Sequence, residues 1–149
     1  MEDTATQNRS TNPAPLGVKL LSVVLLVFGL LAFFGSLLLW GQGSLFNPPG
    51  GIDLGLPVAD LLINAPASIL AAVGLWRLQR YGYVASQFVA GFYIYASVEI
   101  FVALLQNGAA STGEFLAILI PQLLAVLTAV FLVFYLWRIQ DRFSTGNPH

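Results

Sequence analysis

Residues 54–76, LGLPVADLLINAPASILAAVGLW, decide the fold. The run is long enough to cross a bilayer as a helix, which takes about 20 mostly apolar residues. It also carries Asp60, Asn64, Pro66 and Ser68. An Asp near the centre of a membrane helix costs about 2.5–3.5 kcal/mol on insertion scales, and less away from the centre. The surrounding Leu, Ile, Val and Ala residues offset that cost. If the run crosses, Arg77 and Arg80 share a membrane side with the chain termini. If it does not, they lie on the opposite side.

The other basic residues favour crossing. The six Lys and Arg residues are Arg9, Lys19, Arg77, Arg80, Arg138 and Arg142. With four crossings, all six fall on one side and the opposite loops carry none. The excess of positive charge marks the cytoplasmic side. The remaining apolar runs are residues 20–40, 83–105 and 115–137. Residues 41–53 (with Asn47-Pro48, Pro49-Gly50 and Gly50-Gly51), 77–82 and 106–113 connect the four runs as loops. Trp76, Tyr81, Tyr135 and Trp137 form an aromatic belt at the cytoplasmic boundary, and Trp40 marks the outer one. The first run exceeds the about 7–15 residues of a signal-peptide apolar region, and no A-x-A site follows it. No run alternates with period two, so a β-barrel is not expected.

The expected fold class is therefore all-α. It is an integral membrane four-helix bundle in the cell membrane, with both termini cytoplasmic. Residues 1–15 form a disordered polar tail, 16–138 the transmembrane domain, and 139–149 a short cytoplasmic tail. The 149 residues are 57% hydrophobic and 9% charged, against about 25% charged in soluble domains. A net charge of −1 offers no basic face to nucleic acid. There is no cysteine, the single histidine is His149, and the single methionine is Met1. Disulfide, haem, copper and iron–sulfur chemistry thus lack ligands, and no cofactor or metal is expected.

Two segments match. Leu75-Trp76-Arg77-Leu78-Gln79 ends the second run, and Leu136-Trp137-Arg138-Ile139-Gln140 ends the fourth. The correspondence suggests a tandem repeat of two helical hairpins. The alternative is that Leu-Trp-Arg simply suits any helix end at a cytoplasmic interface.

Three helices place a polar group at a similar depth. Asp60, Glu99 and Gln122 each lie six or seven residues inside the outer end of their run, roughly 9–11 Å below the boundary at 1.5 Å per residue. From Asp60, steps of three and four run through Asn64, Ala67, Ala71 and Gly74, a small or polar stripe suited to close packing. From Glu99 the same steps reach Tyr95, Phe92 and Phe88. Gln122 continues through Ala125 and Ala129. The candidate intramembrane polar site is Asp60, Asn64, Tyr95, Glu99 and Gln122. Intramembrane carboxylates mark functional sites by default. Asp60 and Glu99, with no Lys or Arg at their depth, would share a proton or hold a cation. They would otherwise serve as neutral pins of helix register, or sit wet near the outer surface. Pro66 removes the N–H that would bond the Leu62 carbonyl, and a kink is expected there. Pro57 and Pro121 read as first-turn prolines. Phe28, Phe33, Phe34, Phe131 and Phe134 read as packing or lipid-facing side chains rather than a cofactor box.

The segment 74–83, GLWRLQRYGY, resembles a pattern found in small prokaryotic four-helix membrane proteins of unknown function, including DoxX-like ones. There an apolar helix ends in Gly-Leu-Trp-Arg and the next begins after Arg-aromatic-Gly. Small multidrug transporters also have four helices, but they rely on a membrane-embedded Glu in the first helix, and the first run here has no carboxylate. No G-x-S-x-G, H-E-x-x-H, P-loop or GxGxxG arrangement occurs, so an enzyme is not expected, with intramembrane acid chemistry left open. The leading expectation is a protein acting by helix association, as an accessory or structural subunit of a membrane complex or as a homo-oligomer. The alternative is a small transporter or proton-coupled carrier using Asp60 and Glu99.

Overall fold

Four runs rich in Leu, Val, Phe and Ala fold as four long helices. The computed structural model describes residues 14–45, 55–109 and 111–143. Helix α1 is Leu16–Gly41, α2 is Gly55–Trp76, α3 is Arg80–Asn107 and α4 is Thr112–Arg138. A short 3₁₀ turn, Gln140–Phe143, follows. Each of the four is long and apolar enough to cross a membrane. Among the described residues there is no strand. Most of the expected tail at 1–15, the turn signals at 47–51, and residues 144–149 with His149 lie outside the described residues.

The helices mostly outrun the apolar stretches, because capping rather than hydrophobicity ends a helix. Ser111 caps α4 by accepting the Glu114 N–H at 3.1 Å. Ser111-Thr112-Gly113-Glu114 has the capping-box spacing, so α4 starts three residues before the apolar run. Pro121 consequently lies inside α4, not in its first turn as expected. Gly108 closes α3 at φ 70°, donating its N–H to the Leu104 carbonyl at 2.8 Å. Glycine adopts such a positive-φ cap at no steric cost.

Interhelical contacts define an antiparallel series. Ser36 Oγ of α1 donates to the Pro57 carbonyl of α2 at 3.0 Å. Ser68 of α2 meets the Tyr93 hydroxyl of α3 at 3.3 Å. Gln87 Nε2 of α3 donates to the Leu132 carbonyl of α4 at 3.2 Å. The first and last helices touch more lightly, with the Tyr135 ring lying over Gly17. One end of the bundle gathers Lys19, Arg77, Arg80, Arg138 and Arg142. There the Lys19 ammonium sits 5.8 Å from the centre of the Trp76 ring, a cation–π contact joining α1 to α2.

The tightest packing is also at this basic end. Gly74 of α2 and Gly82 of α3 bring their backbones together, and a Cβ on either would strike the other's main chain. The connection between them is a Schellman turn. Gln79 N–H bonds the Gly74 carbonyl at 2.8 Å, and Leu78 N–H bonds the Leu75 carbonyl at 3.0 Å. Leu78 takes the left-handed position at φ 53°, where glycine is usual. Its side chain packs against the core, which offsets the strain. The matching pentapeptide behaves differently: Ile139 has φ −115° and leads into the 3₁₀ turn. Isoleucine is β-branched and resists the left-handed region. The chain instead turns so that Phe143 is buried against Tyr83, with ring centres 5.7 Å apart.

The largest fully buried apolar side chains, Leu25, Leu75, Leu132, Leu136, Val18 and Val89, all lie towards the basic end. Further along, residues of all four helices line a partly open cavity.

Candidate functional site

The cavity owes its polar wall to a local irregularity in α2. Residues Asp60–Asn64 form a π-helical turn, in which the Ala65 N–H reaches back five residues to the Asp60 carbonyl. Pro66 follows directly. In an α-helix its ring would crowd the Leu62 carbonyl and could not bond it; a widened turn relieves that conflict. The expected disturbance at Pro66 thus takes the form of a π-turn, beginning at Asp60 itself.

Three side chains one helical turn apart then line up. Asn64 Nδ2 donates to Asp60 Oδ1 at 2.8 Å, and Ser68 Oγ donates to Asn64 Oδ1 at 3.1 Å. The Tyr93 hydroxyl of α3 lies 3.3 Å from Ser68 Oγ. A hydroxyl has one proton. Ser68 spends its proton on Asn64, so Tyr93 is the donor in the last contact. The chain therefore runs Tyr93, Ser68, Asn64, Asp60, with every donor directed towards the carboxyl. Three members, Tyr93, Ser68 and Asn64, are at most 4% exposed. No buried side-chain polar atom among the described residues lacks a partner.

The Asp60 end of this chain faces a cavity of about 180 Å³. All four helices line it: Phe28 and Ala32 from α1, Asp60 and Asn64 from α2, Phe92 and Tyr93 from α3, Gln122 and Ala125 from α4. Phe28 packs edge-on against the Tyr93 ring, with centres 5.7 Å apart. Gln122 Oε1 accepts from Ser97 Oγ of α3 at 3.2 Å, which fixes one side of its amide. Gly29 lets α1 approach the Ser68 side of the chain, since a Cβ there would come within 2.9 Å of Ser68 Cβ.

No family model, curated protein or solved structure matches this chain.

Of the five candidate residues, the structure brings Asp60, Asn64 and Gln122 to one cavity. Glu99 is half-buried on α3 and is not part of the lining. Tyr95, expected inside, is 55% exposed. The inward face of α3 is instead Gly82, Ser86, Val89, Ala90, Tyr93 and Ser97. Tyr95 lies two residues from Tyr93, about 200° around the helix. Ser68, Tyr93 and Ser97 join the site although the sequence pattern does not single them out. A step of four from Asn64 reaches Ser68, whereas the small-residue stripe takes a step of three and reaches Ala67. Tyr93 carries no separate signal, because Tyr93 and Tyr95 differ only in register. Among the described residues no group of three or more His, Cys, Asp and Glu could hold a metal.

Proposed function

We propose that this chain is a multi-pass membrane protein with both termini cytoplasmic, acting as a small carrier that binds its solute in the four-helix cavity. The carrying observation is that every helix contributes to one chamber whose lining carboxyl, Asp60, ends a hydrogen-bonded chain. A carboxyl placed inside four apolar helices costs insertion energy, which a purely structural protein has little reason to bear. The distribution of charge supports the orientation: the described Lys and Arg residues gather at one end, as positive charge does on the cytoplasmic side. The carrier reading rests on Asp60 rather than on an Asp60–Glu99 pair.

The chain lacks cysteine, which gives a clean background for labelling. With Ala125→Cys in lipid nanodiscs, the neutral reagent methyl methanethiosulfonate is expected to modify the chamber thiol readily. Ala71→Cys, at a position with no exposed surface, should stay unmodified. Mass spectrometry of the intact chain reads both. Equal protection of the two thiols would show a closed, unused packing defect and sink the carrier reading.

A second reading, association with other membrane subunits or with a second copy, draws on α4. That helix is the least buried of the four and leaves Leu116, Leu123, Leu127, Phe131 and Phe134 exposed. Stoichiometric co-purification in mild detergent supports it, and a lone monomer in native mass spectrometry rejects it.

A further inference from the structure

The chamber's chemistry restricts its occupant. The donor chain ends on Asp60, whose Oδ1 accepts from Asn64 Nδ2. No Lys, Arg or His is among the described lining residues. Once ionised, such a carboxyl calls for a positive partner, and the described lining residues supply none. The occupant must bring the charge.

The remaining walls say what kind of cation. Phe28, Phe92 and Tyr93 line the same space as Asp60. Aromatic faces attract cations, and most strongly those whose charge is spread over alkyl groups and so is easily desolvated. A hard divalent ion wants six or more oxygen ligands, and one carboxyl with two carboxamides falls short of that. An anion would meet the Asp60 charge. The volume of about 180 Å³ is slightly larger than cavities of about 150 Å³ that accept a benzene ring.

We propose that the chamber binds a small organic cation, an amine or quaternary ammonium with a compact apolar body, using Asp60 as counter-ion and Phe28, Phe92 and Tyr93 as its aromatic wall. This rests on the reading of the chamber as a solute site. It adds the substrate class. Gln122, held by Ser97, supplies a further polar contact on the α4 side of the cavity. A proton and a bound cation compete for this one carboxyl, so acid conditions oppose solute binding.

Two charged thiol reagents of similar size test this on Ala125→Cys in nanodiscs. One carries a trimethylammonium group and the other a sulfonate, both on ethyl methanethiosulfonate. Rates are normalised to those for a free thiol in solution. The cationic reagent is expected to be faster by about tenfold or more, because an ionised Asp60 lines the same cavity as the thiol. Asp60→Asn should remove most of that preference, and millimolar tetramethylammonium should slow the reaction while sodium does not. The wild-type carboxylate background alone decides the charge preference, so the conclusion does not depend on Asp60→Asn folding. Equal rates for the two reagents, a faster sulfonate, or protection by sodium alone would each overturn the organic-cation class while leaving the chamber accessible. No reaction with either charged reagent or with the neutral one would instead overturn the solute site itself.

Discussion

Gly82→Ala is expected to destabilise the folded protein by about 2 kcal/mol or more. The added Cβ meets the Gly74 carbonyl carbon, the Gly74 Cα and the Leu75 nitrogen, all of them main chain. A side chain in the way could rotate; two helix backbones can only be pushed apart. Overpacking of this kind costs about 1–3 kcal/mol and occasionally more. Alanine recovers about 0.5–1 kcal/mol of helix propensity over glycine, so the clash wins. Gly91 on the same helix is the control, because nothing lies within 4 Å of the place an added methyl group would take. Gly91→Ala should be neutral or slightly stabilising. Unfolding by sodium dodecyl sulfate titration in mixed micelles measures both. If the two variants behave alike, the Gly74–Gly82 contact does not hold α2 to α3.

Asn64→Leu is expected to cost about 3 kcal/mol, with the same branching and number of side-chain heavy atoms. It removes the donor to Asp60 and the acceptor of Ser68 in one step. Each buried polar group left without its partner loses about 1–3 kcal/mol. Ser68 can recover part of this by bonding its own helix carbonyl four residues back, which Asp60 cannot do. A double-mutant cycle isolates the link. Asp60→Ala and Asn64→Ala, measured singly and together, should show a coupling of about 0.5–3 kcal/mol. Asp60→Asn and Glu99→Gln should add within about 0.5 kcal/mol, since Glu99 does not share the Asp60 cavity. Additivity in the first cycle would mean that the hydrogen-bonded chain carries no energy.

The number and order of the helices are legible in the sequence because four apolar runs and six basic residues agree on them. The helix starts are less so. Ser111-x-x-Glu114 announces α4 ahead of its apolar run, and composition alone passes over it. Asp60, Asn64 and Gln122 can be singled out because polar residues stand out in an apolar span. Tyr95 cannot be told from Tyr93, because α3 has small and aromatic residues around much of its circumference and so gives a weak facial signal. The π-turn has only the trace of Pro66, since a proline shows that an α-helical bond is missing without showing how the chain rearranges. The parallel between the 75–79 and 136–140 segments holds in letters and not in backbone. Leu at 78 accepts φ 53° where Ile at 139 keeps φ −115°.

The three-residue turn between Trp76 and Arg80 has a consequence for how the protein is made. A segment bearing Asp60 and Asn64 is a poor passenger for a bilayer when it arrives alone. Here the next helix follows at once, bringing the Tyr93 hydroxyl that completes the chain from Ser68. The Schellman closure and the Gly74–Gly82 contact fasten the two together at their base. The translocation machinery is thus expected to receive α2 and α3 as one unit. In a glycosylation-mapping assay, α2 truncated after Arg80 should insert less fully than α2 followed by all of α3. Equal insertion would show that the hairpin gives α2 no help on entry.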